Sequence, residues 1–182
     1  LNQFEEEMQM GKVIFYGAIS LDGYLAGEED QLDWLLTTDT GASTTFEAFF
    51  EPIDATVMGR TTYEEAKKML DTEALYPEKE NYVFSRQLQK ELADAEVVNQ
   101  DPVSFVRQLK QEKNVWFVGG GELLQPLLEA DMIDEWYIQI APVLLGKGKR
   151  LFEPGDYETR LQFVDMTQMG ELVEVHYRRK QL

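Results

Sequence analysis

Hydrophobic positions along this chain fall into short blocks that switch between strand-like and helix-like spacing. The first block, Lys12 to Ser20, is a near-continuous apolar run rich in β-formers, as a strand buried on both faces requires, and Asp22-Gly23 ends it. From Glu28 to Leu36 the leucines at 32, 35 and 36 keep helical spacing, with Asp33 and Trp34 between them. Thr44 and Glu47 form a capping-box pattern at a helix carrying Phe46, Phe49 and Phe50, which Pro52 closes. Ala55 to Met58 reads as a second strand, and Thr62 to Leu70 as a helix with Tyr63, Ala66, Met69 and Leu70 on one face. Asp71 to Glu80 reads as a polar loop, and Tyr82 to Phe84 and Glu96 to Val98 as two more strands.

The second half begins with a strong helix start. Asp101-Pro102 offers an N-cap and a proline at the first helical position, ahead of Val103, Val106 and Leu109. Val115 to Val118 is a strand, three glycines follow, and Leu123 to Leu128 reads as a helix with Pro126 in its first turn. Strand and helix thus alternate, which predicts a mainly parallel sheet with helices on both faces. The ending differs: Ile133 to Leu145 reads as a long strand, and Leu161 to Met169 and Glu171 to Arg179 flank Gly170 with no room for a helical crossover, so they predict an antiparallel hairpin. Val173, Val175 and Tyr177 alternate there with Glu174, His176 and Arg178, which puts His176 on a polar face as a solvated histidine. Residues 1–11, with three consecutive glutamates, read as a disordered terminus or a cloning remnant in which Met10 is a candidate native start, and 12–180 as a single domain.

Composition narrows the chemistry. A chain of 182 residues can bury one sizeable core, and with no cysteine it has neither disulfides nor thiolate sites. One histidine leaves little for a transition metal, and none is expected. The net charge of −17 argues against a nucleic-acid or anionic-membrane partner, and the lack of a long apolar run or secretory signal predicts a cytoplasmic protein. Between Leu1 and Gly59 the only cation is Lys12, against twelve acids; the next is Arg60, and both Arg60 and Arg86 follow predicted strands. An anionic ligand on so acidic a chain should sit where these few cations are.

The candidate chemistry lies at the strand ends. Thr61 stands three residues before Glu64 and Thr62 three before Glu65, so either threonine can open a capping box at a helix start that, with Arg60 beside it, suits a phosphate. Gly119-Gly120-Gly121-Glu122-Leu123 follows a strand and opens a helix, letting backbone amides approach a pyrophosphate that a Cβ would obstruct. It is not a Rossmann fingerprint, which would need glycine where Leu124 stands. Ser85 and Arg86 add a hydroxyl and a guanidinium after a third strand. For proton transfer the candidates are Asp22, in its Gly23 turn, and Asp33, whose neighbour Trp34 and apolar helical setting would raise its pKa by desolvation.

The stretch Gly59-Arg60-x-Thr62-Tyr63-Glu64 resembles the phosphate turn of the dihydrofolate reductase-like superfamily. Three further stretches match in order: Ser20-Leu21-Asp22-Gly23-Tyr24, Val83-Phe84-Ser85-Arg86 and Val118-Gly119-Gly120-Gly121-Glu122-Leu123. The Ser-x-Asp-Gly turn and the run from Ala141 to Gly148 resemble the branch that holds the reductase domain of the riboflavin-biosynthesis deaminase/reductase. The resemblance implies an α/β, dihydrofolate reductase-like fold with a mainly parallel central sheet, helices on both faces and an antiparallel C-terminal hairpin.

It also implies an NADPH-dependent reductase of a small heterocycle, similar to 5-amino-6-(5-phosphoribosylamino)uracil reductase, working as a homodimer. The cofactor would lie against Ala18, Gly59 to Thr62, Ser85-Arg86 and Gly119 to Leu123. Substrate would lie against Ser20, Trp34 and Lys147, with Asp22 or Asp33 as the proton donor. Dihydrofolate reduction is an alternative, although Gly27-Glu28-Glu29-Asp30-Gln31 replaces the usual folate segment and the 71–80 loop has no arginine for a glutamate tail. A non-catalytic NADPH sensor and a dimerisation scaffold are the alternatives outside enzymology.

Overall fold

The computed structural model describes residues 10–87 and 91–180. The terminus expected over 1–11 therefore falls, for residues 1–9, outside the described residues, while the Gly11 amide donates to Lys110 O at 2.8 Å. Among the described residues ten strands occur in chain order: β1 (Val13–Ser20), β2 (Tyr24–Ala26), β3 (Ala55–Gly59), β4 (Glu80–Phe84), β5 (Glu96–Val98), β6 (Val115–Gly119), β7 (Glu135–Ala141), β8 (Lys149–Arg150), β9 (Leu161–Met169) and β10 (Leu172–Arg179). Five α-helices lie among them: α1 (Asp33–Leu36), α2 (Phe46–Phe50), α3 (Arg60–Leu70), α4 (Pro102–Lys110) and α5 (Gly121–Glu129).

Eight strands form one sheet in the order β5-β4-β3-β6-β1-β7-β10-β9, and β2 pairs with β8 in a separate ribbon. The first six are parallel, and β10 and β9 close the sheet antiparallel, as the strand-helix alternation and the Gly170 hairpin predict. β1 is central because neither face carries charge. Val13 and Phe15 pack with Val57, Phe117, Val106, Leu124 and Leu127 under α4 and α5, while Ile14 and Tyr16 pack with Phe49, Ile53 and Trp116 under α2. A third cluster joins Met58 and Val83 to Tyr63 of α3. Among the described residues no helix is long and apolar enough to cross a membrane.

The local readings fail where backbone chemistry overrides spacing. The helix expected over Glu28 to Leu36 is broken into a single 3-10 turn, Glu28–Asp30, and the one-turn α1, because Glu29 and Asp30 take left-handed φ values of 58° and 61° and the Gly27 amide closes a loop onto Gln31 O. Thr44 forms no capping box; its hydroxyl accepts from Phe46 N instead. Met69 is 63% exposed, off the face it was expected to share, and Leu75 in the supposedly polar loop is fully buried against Met58 and Val83. α5 starts at Gly121, so Pro126 falls in its second turn. β7 stops at Ala141, where Pro142 has no amide to donate.

The largest departure concerns β10. It lies between β7 and β9, and where alternation predicts one buried face both its faces are covered: Val175 and Tyr177 pack on the α4–α5 core, whereas Leu172 and Glu174 are buried on the other face. His176 is not a solvated histidine. Its ring stacks on Tyr137 at 3.9 Å between centroids, and its Nε2 lies 2.9 Å from Glu135 Oε2.

Candidate active site

Parallel strands end at one edge, and here that edge gathers the motifs. In the register of β3, Gly59 pairs with Phe84 of β4 and Met58 with Gly119 of β6, so Arg60–Thr62, Ser85-Arg86 and Gly119–Gly121 emerge side by side. The chain runs from β1 to β3, outward through β4 and β5, and returns as β6 into the gap between β3 and β1. This is a topological switch point, where open α/β sheets leave a crevice at the carboxyl ends of their strands.

The helix start beside this crevice differs from the one expected. The N-cap of α3 is Gly59, in extended conformation, and no side chain caps the helix, so neither the Thr61–Glu64 nor the Thr62–Glu65 capping box forms. Starting the helix at Arg60 puts both threonines inside its first turn. The first-turn amides are then free of side-chain caps, and the hydroxyl of Thr62 turns toward the glycine loop: a Cβ built on Gly119 would stand 3.5 Å from Thr62 Oγ1, and one on Gly120 3.9 Å from it.

α5 begins in the same way, with Gly120 as N-cap and no side-chain cap. Gly119 has φ 144°, which an L side chain rarely adopts, and a Cβ on Gly121 would meet Arg150 O at 2.0 Å. The peptide bond between Gly119 and Gly120 is cis. Two helix N-termini thus face one crevice, each lined by glycine, and both favour anionic oxygen through first-turn amides that no side chain caps.

The flanking cations are exposed. Arg60 reaches Glu64 across one turn at 3.5 Å. Ser85 donates its amide to Val98 O and accepts from Gln87 N on its hydroxyl, with the exposed Arg86 between. Thr61 and Glu122 are exposed at their helix starts, and Leu123 packs against the α4–α5 core. Ala18, half-buried on β1, lies beside Gln139 of β7.

On the other side of the crevice, Ser20 is fully buried; its hydroxyl donates to Asp22 Oδ1 at 2.7 Å and accepts from Tyr24 N at 2.9 Å. Asp22 also accepts from the amides of Leu145, at 3.1 Å, and Gly146, at 2.7 Å. The Ser20 hydroxyl, and then these amides, hold the Asp22 carboxyl below the usual carboxylate range. Asp22 therefore works as a clamp on the loop after β7, a task invisible in the sequence because the amides it holds there are 123 and 124 residues away.

Asp33 is exposed at the start of α1, so the apolar surroundings expected of it are absent. Trp34 packs with Ala141, Met169 and Leu172 and donates from Nε1 to Gln31 O at 3.2 Å. Lys147 is paired with Glu28 at 2.9 Å, and Glu28 raises its pKa. Leu25, which the sequence reading passed over, reaches the glycine loop with its Cδ1 3.9 Å from the Cβ position of Gly119.

This geometry has close relatives. The pattern of the RibD C-terminal domain family matches residues 11–175. The uncharacterized protein YwjB of Bacillus subtilis (strain 168) is 36% identical over 170 residues, covering 91% of this chain and 97% of that one. A crystal structure of a protein assigned to riboflavin biosynthesis from Shewanella sp. PV-4 superposes with a TM-score of 0.81 at 29% identity, over 94% of this chain and all of that one. Dihydrofolate reductase from Enterococcus faecalis, solved in complex with NADP(H), shares the fold with a TM-score of 0.67 at 16% identity, over 94% of this chain and 98% of that one.

Proposed function

The chain belongs to the RibD C-terminal domain family, and from that premise we propose that it is a reductase using NADPH to reduce a small heterocyclic compound. The observation that carries this reading is the glycine-lined crevice between the starts of α3 and α5, with Thr62 turned into it. A pyrophosphate fits such a cradle, since any Cβ at Gly119 or Gly121 would be strained or would clash with Arg150 O. Arg60, Arg86 and Ser85 flank it and supply the charge-assisted contacts that a 2′-phosphate needs. When bound, NADPH would supply a hydride.

The chain's own residues position and enclose. Asp22 holds the loop of Leu145 and Gly146, Tyr24 OH donates to Gly146 O at 3.1 Å, and Lys147 ties Glu28 to the same loop, which together wall the substrate side of the crevice. Of the two carboxylates considered for proton transfer, Asp22 is engaged on both oxygens, which leaves the exposed Asp33 as the candidate donor. A ribosylaminopyrimidine ranks first among named substrates, with the exposed Lys149 and Arg150 as its phosphate contacts; an unidentified small heterocycle stands level, and dihydrofolate third. The test is NADPH titration followed by oxidation at 340 nm with each compound. Binding of NADPH with turnover of an aminopyrimidine is expected; no NADPH binding at millimolar cofactor would overturn the reading.

A further inference from the structure

A second opening lies on the α2 face of the sheet, over β10 and β9, away from the glycine-lined crevice. It is a groove of about 280 Å³, bounded by Thr45, Ala48 and Phe49 on one side and by Tyr137, Glu174 and His176 on the sheet. Glu174 is only 3% exposed, and among the described residues no lysine or arginine pairs with it. Burying a carboxylate without a cation carries a large desolvation cost that hydrogen bonds offset only in part.

The bonds it does make are one-sided. Thr45 Oγ1 donates to Glu174 Oε2 at 2.7 Å and Gln139 Nε2 donates to the same oxygen at 2.5 Å. Thr45 has one hydroxyl proton, spent on the carboxylate, so Tyr16 OH must be the donor in its 2.9 Å contact with Thr45. Oε1 takes part in none of these bonds. No buried side-chain oxygen among the described residues lacks a partner, so Oε1 opens on the groove that Glu174 lines.

The groove's other features select the ligand. Asp165 adds a second carboxylate to the wall, no lysine or arginine among the described residues lines it, and the sides are the rings of Phe49 and of Tyr137 with His176 stacked on it. The groove of about 280 Å³ has room for a single small ring, for which a cavity of about 150 Å³ suffices. We infer that this groove binds a planar cation bearing N–H donors, an amidinium or a protonated aminoheterocycle, with Glu174 Oε1 as its anionic contact. The site goes beyond the NADPH reading, because no residue of it belongs to the glycine-lined crevice.

The probe is benzamidine, titrated into the full chain by two-dimensional amide NMR, with benzamide and benzoate as neutral and anionic isosteres. Benzamidine should shift the amides of Thr45, Ala48 and Glu174; benzamide should bind at least about tenfold more weakly, as loss of a charged hydrogen bond requires, and benzoate should not bind. Glu174→Gln should weaken benzamidine by about tenfold or more. Ala48→Trp, at an exposed helix position on the groove wall, should block it without touching the Thr45–Glu174 bond, so a folding defect in the first variant leaves the second to decide. NADPH titration of both variants should match the wild type. Equal binding of the three probes, shifts elsewhere on the surface, no benzamidine binding at all, or undiminished binding in Ala48→Trp would overturn the assignment.

Discussion

Asp22 Oδ2 accepts the backbone amide of Gly146 at 2.7 Å, joining the turn after β1 to the loop after β7. The Ser20 hydroxyl and the Leu145 and Gly146 amides favour the ionised form, so the folded pKa of Asp22 lies below its unfolded value of about 3.9. The sign follows: these contacts are fully present above the unfolded value and are lost as pH falls through the folded one. At neutral pH, Asp22→Asn should speed hydrogen exchange at Leu145 and Gly146 by about tenfold or more. In turnover it should raise KM while leaving the shape of the pH profile intact, as expected of a positioning residue. Loss of one limb of that profile would make Asp22 the proton donor instead.

The cofactor preference should follow the cations at the strand ends. NADPH is expected to bind at least about tenfold more tightly than NADH, and Arg60→Ala or Arg86→Ala to narrow the gap by removing a contact of about 1.5–3 kcal/mol. Arg60 now leans on Glu64 at 3.5 Å, so Glu64→Gln, which frees the guanidinium, should strengthen NADPH binding slightly. Isothermal titration with both cofactors checks all three variants, and equal affinities in the wild type would refute the preference.

Much of this architecture is legible in the sequence because particular residues admit one environment. Val13 to Tyr16 carry no charge on either face, so β1 must be central, and Asp101-Pro102 starts α4 as written, with the Asp101 carboxylate accepting from Ser104 N. The start of α3 was ambiguous for a physical reason: two overlapping threonine–glutamate pairs fit a capping box equally well, and the spacing cannot reveal that Gly59 serves as the N-cap. Glu174 was hidden differently. Alternation in β10 separates two faces but cannot say that both are covered, and the partners that make a buried carboxylate tolerable, Thr45 and Gln139, come from distant segments.

Close backbone contact predicts a severe glycine effect at α5. A Cβ on Gly121 would stand 2.0 Å from Arg150 O and 2.9 Å from Leu151 O, and both obstacles are main chain that cannot rotate away. Gly121→Ala should cost about 1–3 kcal/mol by overpacking, read as a lower midpoint in urea with an unchanged slope. Gly27→Ala, whose nearest neighbour is the Gln31 Cβ at an ordinary 3.4 Å, serves as the control and should unfold close to wild type.

Acid sensitivity should concentrate at Asp94. Burial pushes its carboxyl up, but Lys67, the Leu75 amide and the Tyr63 hydroxyl outweigh it, and the net pKa is lowered. Asp94 accepts from Tyr63 OH at 2.7 Å, Lys67 Nζ at 2.8 Å and Leu75 N at 2.8 Å, tying α3 to the loop that follows it. Its stabilising contribution is therefore present above about pH 4 and lost as pH falls further. Asp94→Asn should lose about 1.5–3 kcal/mol at pH 7 and flatten the fall in stability toward acid. Urea melts at pH 7 and pH 3 measure both, and an equal loss at the two values would show that the carboxylate charge is not what matters.

The outer strand carries the expectation of a homodimer. β9 is the last strand of the sheet, with no described strand on its far side, and Phe163 and Met166 on it are 59% and 61% exposed. The register sets Phe163 opposite Tyr177 and Met166 opposite Val175, so both belong to one face of the hairpin, and a nine-residue strand whose outer edge has no described partner, beside such a face, is a liability that a second copy would remove. Covering each side chain is worth up to about 1.5–3 kcal/mol, so Phe163→Glu with Met166→Asp should weaken association by about a hundredfold or more while the separated chains stay folded. Sedimentation equilibrium at micromolar concentration should give a dimer for the wild type and a monomer for the double variant. A wild-type monomer under those conditions would leave the strand edge without a partner and remove the homodimer from the account.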